Sequence, residues 1–223
     1  MIPLHDREIN KRTAETFDWA SNDFDSARPG PWPSIDEMGS LSGKRILDLG
    51  AGTGRNSDHF LQGGASVVAV DVSLGMLRVL GRKTGAEKPI HLLRCDATSL
   101  PFRDGSFDSV AFIAALHHLP DHEGRRRALG EVERVTAHGG VVLITVWAPP
   151  ELPKGAKILA SCGGTDRDIL VPWAGRGGRF YHIFSPSELR TLLSEAGLTL
   201  TKVFHERVSK RALGTNLVAV ATK

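Results

Sequence analysis

Ile46-Leu47-Asp48-Leu49-Gly50-Ala51-Gly52-Thr53-Gly54-Arg55 joins a short apolar run and an acid to three alternate glycines, ahead of a segment with helical character. The apolar residues predict a buried strand, and the glycines predict a tight turn leading into a helix. Such a turn delivers a ligand to free backbone N–H groups at the helix N-terminus.

The spacing of the glycines narrows the ligand. A dinucleotide fingerprint requires G-x-G-x-x-G, but counted from Gly50 the last place holds Arg55, and counted from Gly52 it holds Ser57. Asp48, ahead of the first glycine, would repel a pyrophosphate and suits a ligand with an ammonium or sulfonium group. S-adenosylmethionine carries both.

With 223 residues the chain has room for one domain and a real core. Hydrophobic residues make up 41% and charged residues 24%, near globular averages, which argues against a disordered chain. No apolar run nears the roughly 20 residues of a membrane span. Met1-Ile2-Pro3-Leu4-His5-Asp6-Arg7-Glu8 lacks the apolar stretch of a signal peptide, so a cytoplasmic protein without membrane association is expected. Cys95 and Cys162 have no CxxC companion, so reduced thiols and no metal site are expected. The net charge is only +3. Arg125-Arg126-Arg127, Arg82-Lys83, Arg176, Arg179, Arg207 and Lys210-Arg211 either gather into a surface for a phosphate-bearing partner or lie on solvated faces.

Phe17, Ala20 and Phe24 recur at helical spacing and predict an amphipathic helix in the first thirty or so residues, ended by Arg28-Pro29-Gly30-Pro31-Trp32-Pro33. From Lys44 the pattern alternates: strands at Arg45–Leu49, Ser66–Asp71, Ile90–Arg94 and Phe107–Ala114, with helices from Arg55, after Ser73 and near Asp121. Such crossovers predict parallel pairing. Gly139-Gly140 is expected to end the last of these helices and open the apolar strand Val141–Trp147. Ala148–Phe184 has no sustained period and reads as an insertion or lid. Ser185-Pro186-Ser187-Glu188 reads as a capping box with proline at the first helical position, and Gly197 as the stop of that helix. Thr199–Arg207 and Leu213–Thr222 are close enough to pair antiparallel.

Asp71 ends the second predicted strand 17 residues after Gly54, where a carboxylate accepts from both ribose hydroxyls of an adenosine. The alternative is a loop aspartate that caps the next helix. Asp96, in Arg94-Cys95-Asp96-Ala97 at the end of the third strand, is placed to accept from an adenine amino group. Asp48, the glycine loop, Asp71 and Asp96 thus end three successive parallel strands at their carboxyl ends, where open α/β sheets bind ligands.

Together with Leu100-Pro101-Phe102-Arg103-Asp104-Gly105-Ser106-Phe107-Asp108, these residues make Lys44–Trp147 resemble a class I S-adenosylmethionine-dependent methyltransferase. The resemblance implies an α/β, three-layer, Rossmann-like fold. Its sheet is seven-stranded and mostly parallel with an antiparallel C-terminal strand, and an N-terminal helical segment is added. The implied organisation is one methyltransferase domain: 1–43 helical extension, 44–147 cofactor-binding core, 148–184 substrate-side insertion or lid, 185–223 C-terminal helix and hairpin. The cofactor implied is S-adenosylmethionine, with Gly50, Gly52 and Gly54 at its methionine portion and Asp71 and Asp96 at its adenosine. Asp48, Val72, Ala97 and Ala114 complete that site.

Ala114-Ala115-Leu116-His117-His118-Leu119 follows the fourth strand, where this superfamily often aligns its acceptor. His117 either faces the substrate or is a packed, hydrogen-bonded histidine. Three further stretches resemble the tRNA methyltransferases that esterify a carboxymethyl group on the wobble uridine. They are Arg28 through Trp32-Pro33, Leu170-Val171-Pro172-Trp173, and Arg179-Phe180-Tyr181-His182-Ile183-Phe184 followed by Glu188-Leu189. That resemblance puts Arg28, Trp173, Arg179 and Tyr181 beside His117 on the acceptor side, arginine being suited to a carboxylate or phosphate and aromatics to a splayed base. It also implies tRNA as substrate and a small zinc-binding activator protein at the sheet edge. Only Ala174–Phe180 separates Trp173 from Tyr181, where the family often carries a long charged insert, so less surface is left for RNA. Two other readings stay open: a methyltransferase of quinone precursors, phenols or carboxylic acids, and an inactive cofactor-binding subunit that positions another protein.

Overall fold

The alternation that begins at Lys44 builds an open sheet. The computed structural model describes residues 6–26, 30–85, 87–148, 167–172, 178–207 and 215–223; Arg28, Cys162 and Trp173 lie outside them. Strands β1 (Arg45–Leu49), β2 (Ser66–Asp71), β3 (Ile90–Arg94), β4 (Phe107–Ile113) and β5 (Thr136–Trp147) run parallel. After the hairpin β6 (Asp168–Pro172) and β7 (Gly178–His182), strands β8 (Thr199–Glu206) and β9 (Asn216–Thr222) return to the sheet. The order is β3-β2-β1-β4-β5-β9-β8, and β9 is antiparallel to both of its neighbours. The order reverses between β1 and β4, and that switch point opens the ligand crevice.

The strands read as apolar runs because the sheet is covered on both faces. Period-two alternation sends Leu47, Val110, Val142 and Ile144 to one side, where α4 (His122–Val135) and α5 (Pro186–Glu195) supply Leu129, Val132, Leu189 and Leu192. Ile46, Ala69, Ala111 and Leu143 point the other way, against Phe60 of α2 (Arg55–Gln62) and Leu77 and Leu80 of α3 (Leu74–Thr84). The 3-10 turn Pro33–Met38 adds Ile35 and Met38 to that layer. The first helix, α1 (Asp6–Ser26), packs on α3 and β7. Among the described residues, no helix is long and apolar enough to cross a membrane.

Three local expectations change. Helix α4 already ends at Val135, and Gly139-Gly140 lies inside β5, in a bulge between the pairings Phe107↔Thr136 and Ser109↔Val141. Gly140 is needed there because a Cβ would sit 2.7 Å from the carbonyl oxygen of Ala137. Residues 168–182 of the unpatterned segment hold the β6–β7 hairpin, which has its own small cluster of Ile169, Val171, Tyr181 and Ile183. Of the arginine run, Arg126 and Arg127 lie on a solvated face and pair with Glu123, the open alternative that the sequence allowed, while Arg125 is buried and donates to the carbonyls of Leu119 and Pro120. Ser185 caps α5 as expected, accepting from the Glu188 N–H at 3.2 Å, but the Glu188 side chain turns to the hairpin instead of closing the box.

That turn anchors the hairpin. His182 Nδ1 lies 2.6 Å from Asp168 and Nε2 lies 2.7 Å from Glu188, so the ring bridges a carboxylate on each side. Arg167 also reaches Glu188, at 2.8 Å. Burial alone would raise the Glu188 carboxyl, but the bond from His182 and the charges of His182, Arg125 and Arg167 hold it below its ordinary value of 4.5. Its ionised form therefore contributes stability above that value, and the contribution is lost as pH falls through the lower folded value. Glu188→Gln is expected to lower the unfolding free energy by about 2 kcal/mol at neutral pH and by almost nothing in strong acid. Urea denaturation at both pH values checks this, and equal losses would exclude the electrostatic account.

Candidate functional site

A cavity of about 610 Å³ opens at the carboxyl ends of β1 to β5. Its first half is built by the glycine loop. Gly50, Gly52 and Gly54 all have positive φ, a region that only glycine enters without penalty. A Cβ on Gly50 would strike that of Ala115 at 2.4 Å, whereas one on Gly52 would meet nothing within 4 Å. Gly52 thus leaves open space in which a ligand can approach the backbone. Asp71 holds the loop from the end of β2: Oδ2 accepts from the Gly52 N–H and Oδ1 from the Ser73 N–H, both at 2.8 Å. Val72, Asp96 and Ala97 line the same half, and Asp96 Oδ1 closes its own turn by accepting from the Thr98 N–H and hydroxyl.

Two members of the expected cofactor set lie elsewhere. Asp48 is 1% exposed and off the cavity wall, with Oδ2 accepting from the Ser57 hydroxyl at 2.6 Å. It braces the start of α2 from behind the loop. Gly54 is also behind the wall, where a Cβ would lie 2.0 Å from Leu80 Cδ1; it serves helix–strand packing and caps α2.

The second half is an aromatic wall. Ala114 takes φ +54°, with its N–H shared between the carbonyl and hydroxyl of Thr145, and turns the chain off β4 along the cavity. This non-glycine residue in the left-handed region is local strain at the site. Behind it, His117 is 1% exposed and stacks on Tyr181 with centroids 4.9 Å apart. The Tyr181 ring also packs on Trp147 at 4.2 Å and on His118 at 4.5 Å. The buried guanidinium of Arg179 lies 5.3 Å from the Tyr181 ring and 5.9 Å from that of Phe17. His117 Nδ1 accepts from the Trp147 N–H at 3.3 Å, so the neutral ring carries its proton on Nε2 and acts as a donor. Of the five expected acceptor residues, His117, Arg179 and Tyr181 come together; Arg28 and Trp173 are outside the described residues.

The roof is a feature the sequence conceals. Asn10, Thr13, Phe17 and Phe24 of α1 line the cavity. Asp18 fastens α1 to the N-terminus of α3, accepting from the Ser73 hydroxyl at 2.6 Å and the Gly75 N–H at 2.7 Å. Gly75 permits the approach, since a Cβ there would lie 2.6 Å from the Asp18 carbonyl oxygen. The Phe17, Ala20 and Phe24 spacing marked a buried face without saying that it covers a site. Asn216, at the start of β9, also lines the cavity and had no signal in the sequence.

The residues fit S-adenosylmethionine: an acceptor-only carboxylate for a ribose, an open glycine backbone, and an aromatic chamber beside them. Residues 47–144 match the family described as a methyltransferase domain. The chain is 39% identical over 116 residues to a demethylmenaquinone methyltransferase of Renibacterium salmoninarum, covering 52% of this chain and 46% of that protein. A second demethylmenaquinone methyltransferase, from Thermobifida fusca, is 33% identical over 73% of this chain and 68% of its own length. A tRNA (carboxymethyluridine(34)-5-O)-methyltransferase of Arabidopsis thaliana is 31% identical over 76% of this chain and 41% of its own. The chain thus spans from less than half to about two thirds of these relatives' lengths. Among solved structures, a methyltransferase of Methanosarcina mazei superposes with TM-score 0.76 at 22% identity, covering 87% of this chain and 99% of that one. The chain belongs to the class I S-adenosylmethionine-dependent methyltransferases.

Burial pushes the Asp71 carboxyl up to about 6, against its bonds from Ser73 and Gly52, and burial raises Asp48 to about 6 as well. A protonated carboxyl is a poorer acceptor for the ribose hydroxyls expected at Asp71. S-adenosylmethionine affinity, measured by calorimetry, is therefore expected to fall as pH drops from 7.5 to 5, and Asp71→Asn is expected to lose about 100-fold at pH 7.5. In the ligand-free protein the sign is opposite: these raised carboxyls contribute stability below the ordinary value of 3.8 that is lost as pH rises through about 6. For the roof, Asp18→Ala is expected to weaken cofactor binding about tenfold, because a closed state that is less populated lowers apparent affinity in proportion. Unchanged affinity in that variant would show that α1 is held by its apolar face alone.

Proposed function

We propose that the protein methylates the carboxymethyl group of a modified wobble uridine in tRNA, giving the methyl ester. The observation that carries this reading is the buried Arg179 guanidinium against Tyr181, inside a chamber walled by His117 and Trp147. A carboxylate acceptor needs a cation there, and a base turned out of its stack needs aromatic faces. S-adenosylmethionine supplies an electrophilic methyl group that a carboxylate oxygen takes without losing a proton. The chain's task is accordingly to hold the acceptor in line and exclude water. His117, a donor through Nε2 in its neutral form, orients the acceptor rather than deprotonating it. Arg28 and Trp173 join this set by the resemblance to the tRNA family. The Arabidopsis relative supports the acceptor assignment.

The Renibacterium and Thermobifida relatives favour a second reading, a quinone precursor as acceptor. A carboxylate matches the full charge of the buried Arg179 guanidinium, which is why the tRNA ester is preferred. For a partner, we assign the edge at β3, which pairs only with β2 and exposes Leu92, to a small activator protein. A fold neighbour from Haloferax volcanii, with TM-score 0.68 and 18% identity over 96% of this chain and 97% of that one, was solved in complex with the Trm112 methyltransferase activator.

Incubation with labelled S-adenosylmethionine and bulk tRNA, followed by nucleoside analysis before and after mild alkali, tests the reading. Alkali-labile label on a modified uridine is expected, and label confined to lipid-soluble small molecules overturns it. Arg179→Ala is expected to lower kcat/KM on tRNA about 100-fold with cofactor affinity within about threefold of the parent.

A further inference from the structure

Of the described residues that line the cavity, those with cationic side chains are Arg55 and Arg179. They belong to different halves. Arg179 is on β7, against the rings of Tyr181 and Phe17. Arg55 opens α2, just after Gly54 and close in sequence to Gly52, where the loop leaves open space. Each guanidinium is seated on a ring: Arg55 Cζ lies 4.9 Å from the centre of the Trp32 ring, and Arg179 Cζ lies 5.3 Å from that of Tyr181. Trp32 also lines the cavity, and its N–H donates to Asn56 Oδ1 at 3.3 Å, which fixes the ring to the start of α2. Arg55 is half-buried, so this cation keeps solvent access beside the open glycine. Its charge also acts on the carboxyls of Asp48 and Glu206, which burial raises and Arg55 lowers, but neither of those residues lines the cavity.

We infer that Arg55 receives the α-carboxylate of S-adenosylmethionine, with Trp32 holding the guanidinium in plane, so that the cavity sorts two carboxylates between two arginines: the cofactor's to Arg55 and the acceptor's to Arg179. The first assignment rests on the cofactor class alone, and only the second rests on the wobble-uridine reading above. A carboxylate taken out of water needs a cation with matching hydrogen-bond donors, and a guanidinium offers two in parallel. The methionine portion is the part of the cofactor assigned to the glycine loop, and Arg55 is the cation on that loop's side of the cavity. A flat guanidinium stacks on an indole in a way that an ammonium cannot match, so the Trp32 seat favours arginine over lysine at this position. With one cation the two anions would compete for it; with two, cofactor and acceptor are held together. Arg55 is a cofactor-binding residue, and it takes no part in bond making.

The test is calorimetry with S-adenosylmethionine and with decarboxylated S-adenosylmethionine, which keeps the adenosine, the sulfonium and the amine. The parent protein is expected to bind the carboxylate form about 100-fold more tightly. Arg55→Ala should lose about 30-fold in affinity for S-adenosylmethionine and stay within about threefold of the parent on the decarboxylated ligand, so that its preference nearly vanishes. Arg55→Lys should recover part of the preference, since it restores the charge without the stacked plane. Arg179→Ala should discriminate between the two ligands as the parent does. Retained discrimination in Arg55→Ala, or equal losses on both ligands, overturns the inference, the second by showing that Arg55 only supports the fold. Discrimination lost in Arg179→Ala instead assigns the cofactor's carboxylate to the other arginine and overturns it as well. No RNA enters these measurements, so a failure to methylate tRNA would overturn the wobble-uridine reading and leave the Arg55 assignment standing.

Discussion

The carboxylate of Asp71 joins the parts of this molecule that must stay in register. One oxygen takes the Gly52 N–H and the other the Ser73 N–H, so the glycine loop after β1 and the head of α3 after β2 are fixed to one planar group. Ser73 then passes the constraint outward, since its hydroxyl accepts from the Met76 N–H and donates to Asp18 on α1. Loop, strand end, helix cap and roof form one hydrogen-bonded chain across three segments distant in sequence. Two carboxylates near the start of α3 are tolerable because that helix end carries partial positive charge. Their burial still raises Asp71, and Asp18 contributes to that rise. Hydroxyl donors of the ribose expected at Asp71 would offset that burial.

The sheet was legible because its physics is local. Apolar runs separated by glycine turns and amphipathic helices leave few topologies, and the bounds of β1, β2 and β3 follow from composition alone. The misreadings share one cause, which is that sequence gives position along a strand but not depth behind a surface. Asp48 stands where a ligand contact was expected, two residues before Gly50, yet it turns behind the loop to Ser57. Gly139-Gly140 looks like a helix stop, but Thr136, β-branched, already pairs with Phe107, and the glycines serve a bulge. Asp18, Gly75 and Asn216 carried no signal at all. Each matters through a neighbour that the fold brings to it over a long sequence distance, and an isolated aspartate, glycine or asparagine says nothing of that.

The acceptor chamber depends on a different anchor. Tyr181 and Arg179 belong to β7, in a two-stranded hairpin that is not part of the main sheet and would be marginal alone. His182, the next residue after Tyr181, ties that hairpin to β6 through Asp168 and to α5 through Glu188. The pleat then decides which side chains face the cavity. Arg179 and Tyr181 lie two apart and share a face, while Phe180 and His182 face away. His118 adds a second tie through Nδ1 to the Phe180 carbonyl at 2.7 Å. The Arg-Phe-Tyr-His-Ile-Phe stretch is thus half chamber and half clamp, alternating residue by residue.

This division explains why one protein resembles both quinone and tRNA methyltransferases. Residues 47–144, the matched family segment, contain the glycine loop, Asp71 and Asp96, which line the half of the cavity expected to take the cofactor. His117 belongs to that segment, while α1, Trp147, β7 and Asn216, which complete the chamber around it, stand outside. The outer elements differ in kind from a closed apolar pocket, since a buried guanidinium stands against the ring of Tyr181 that stacks on His117.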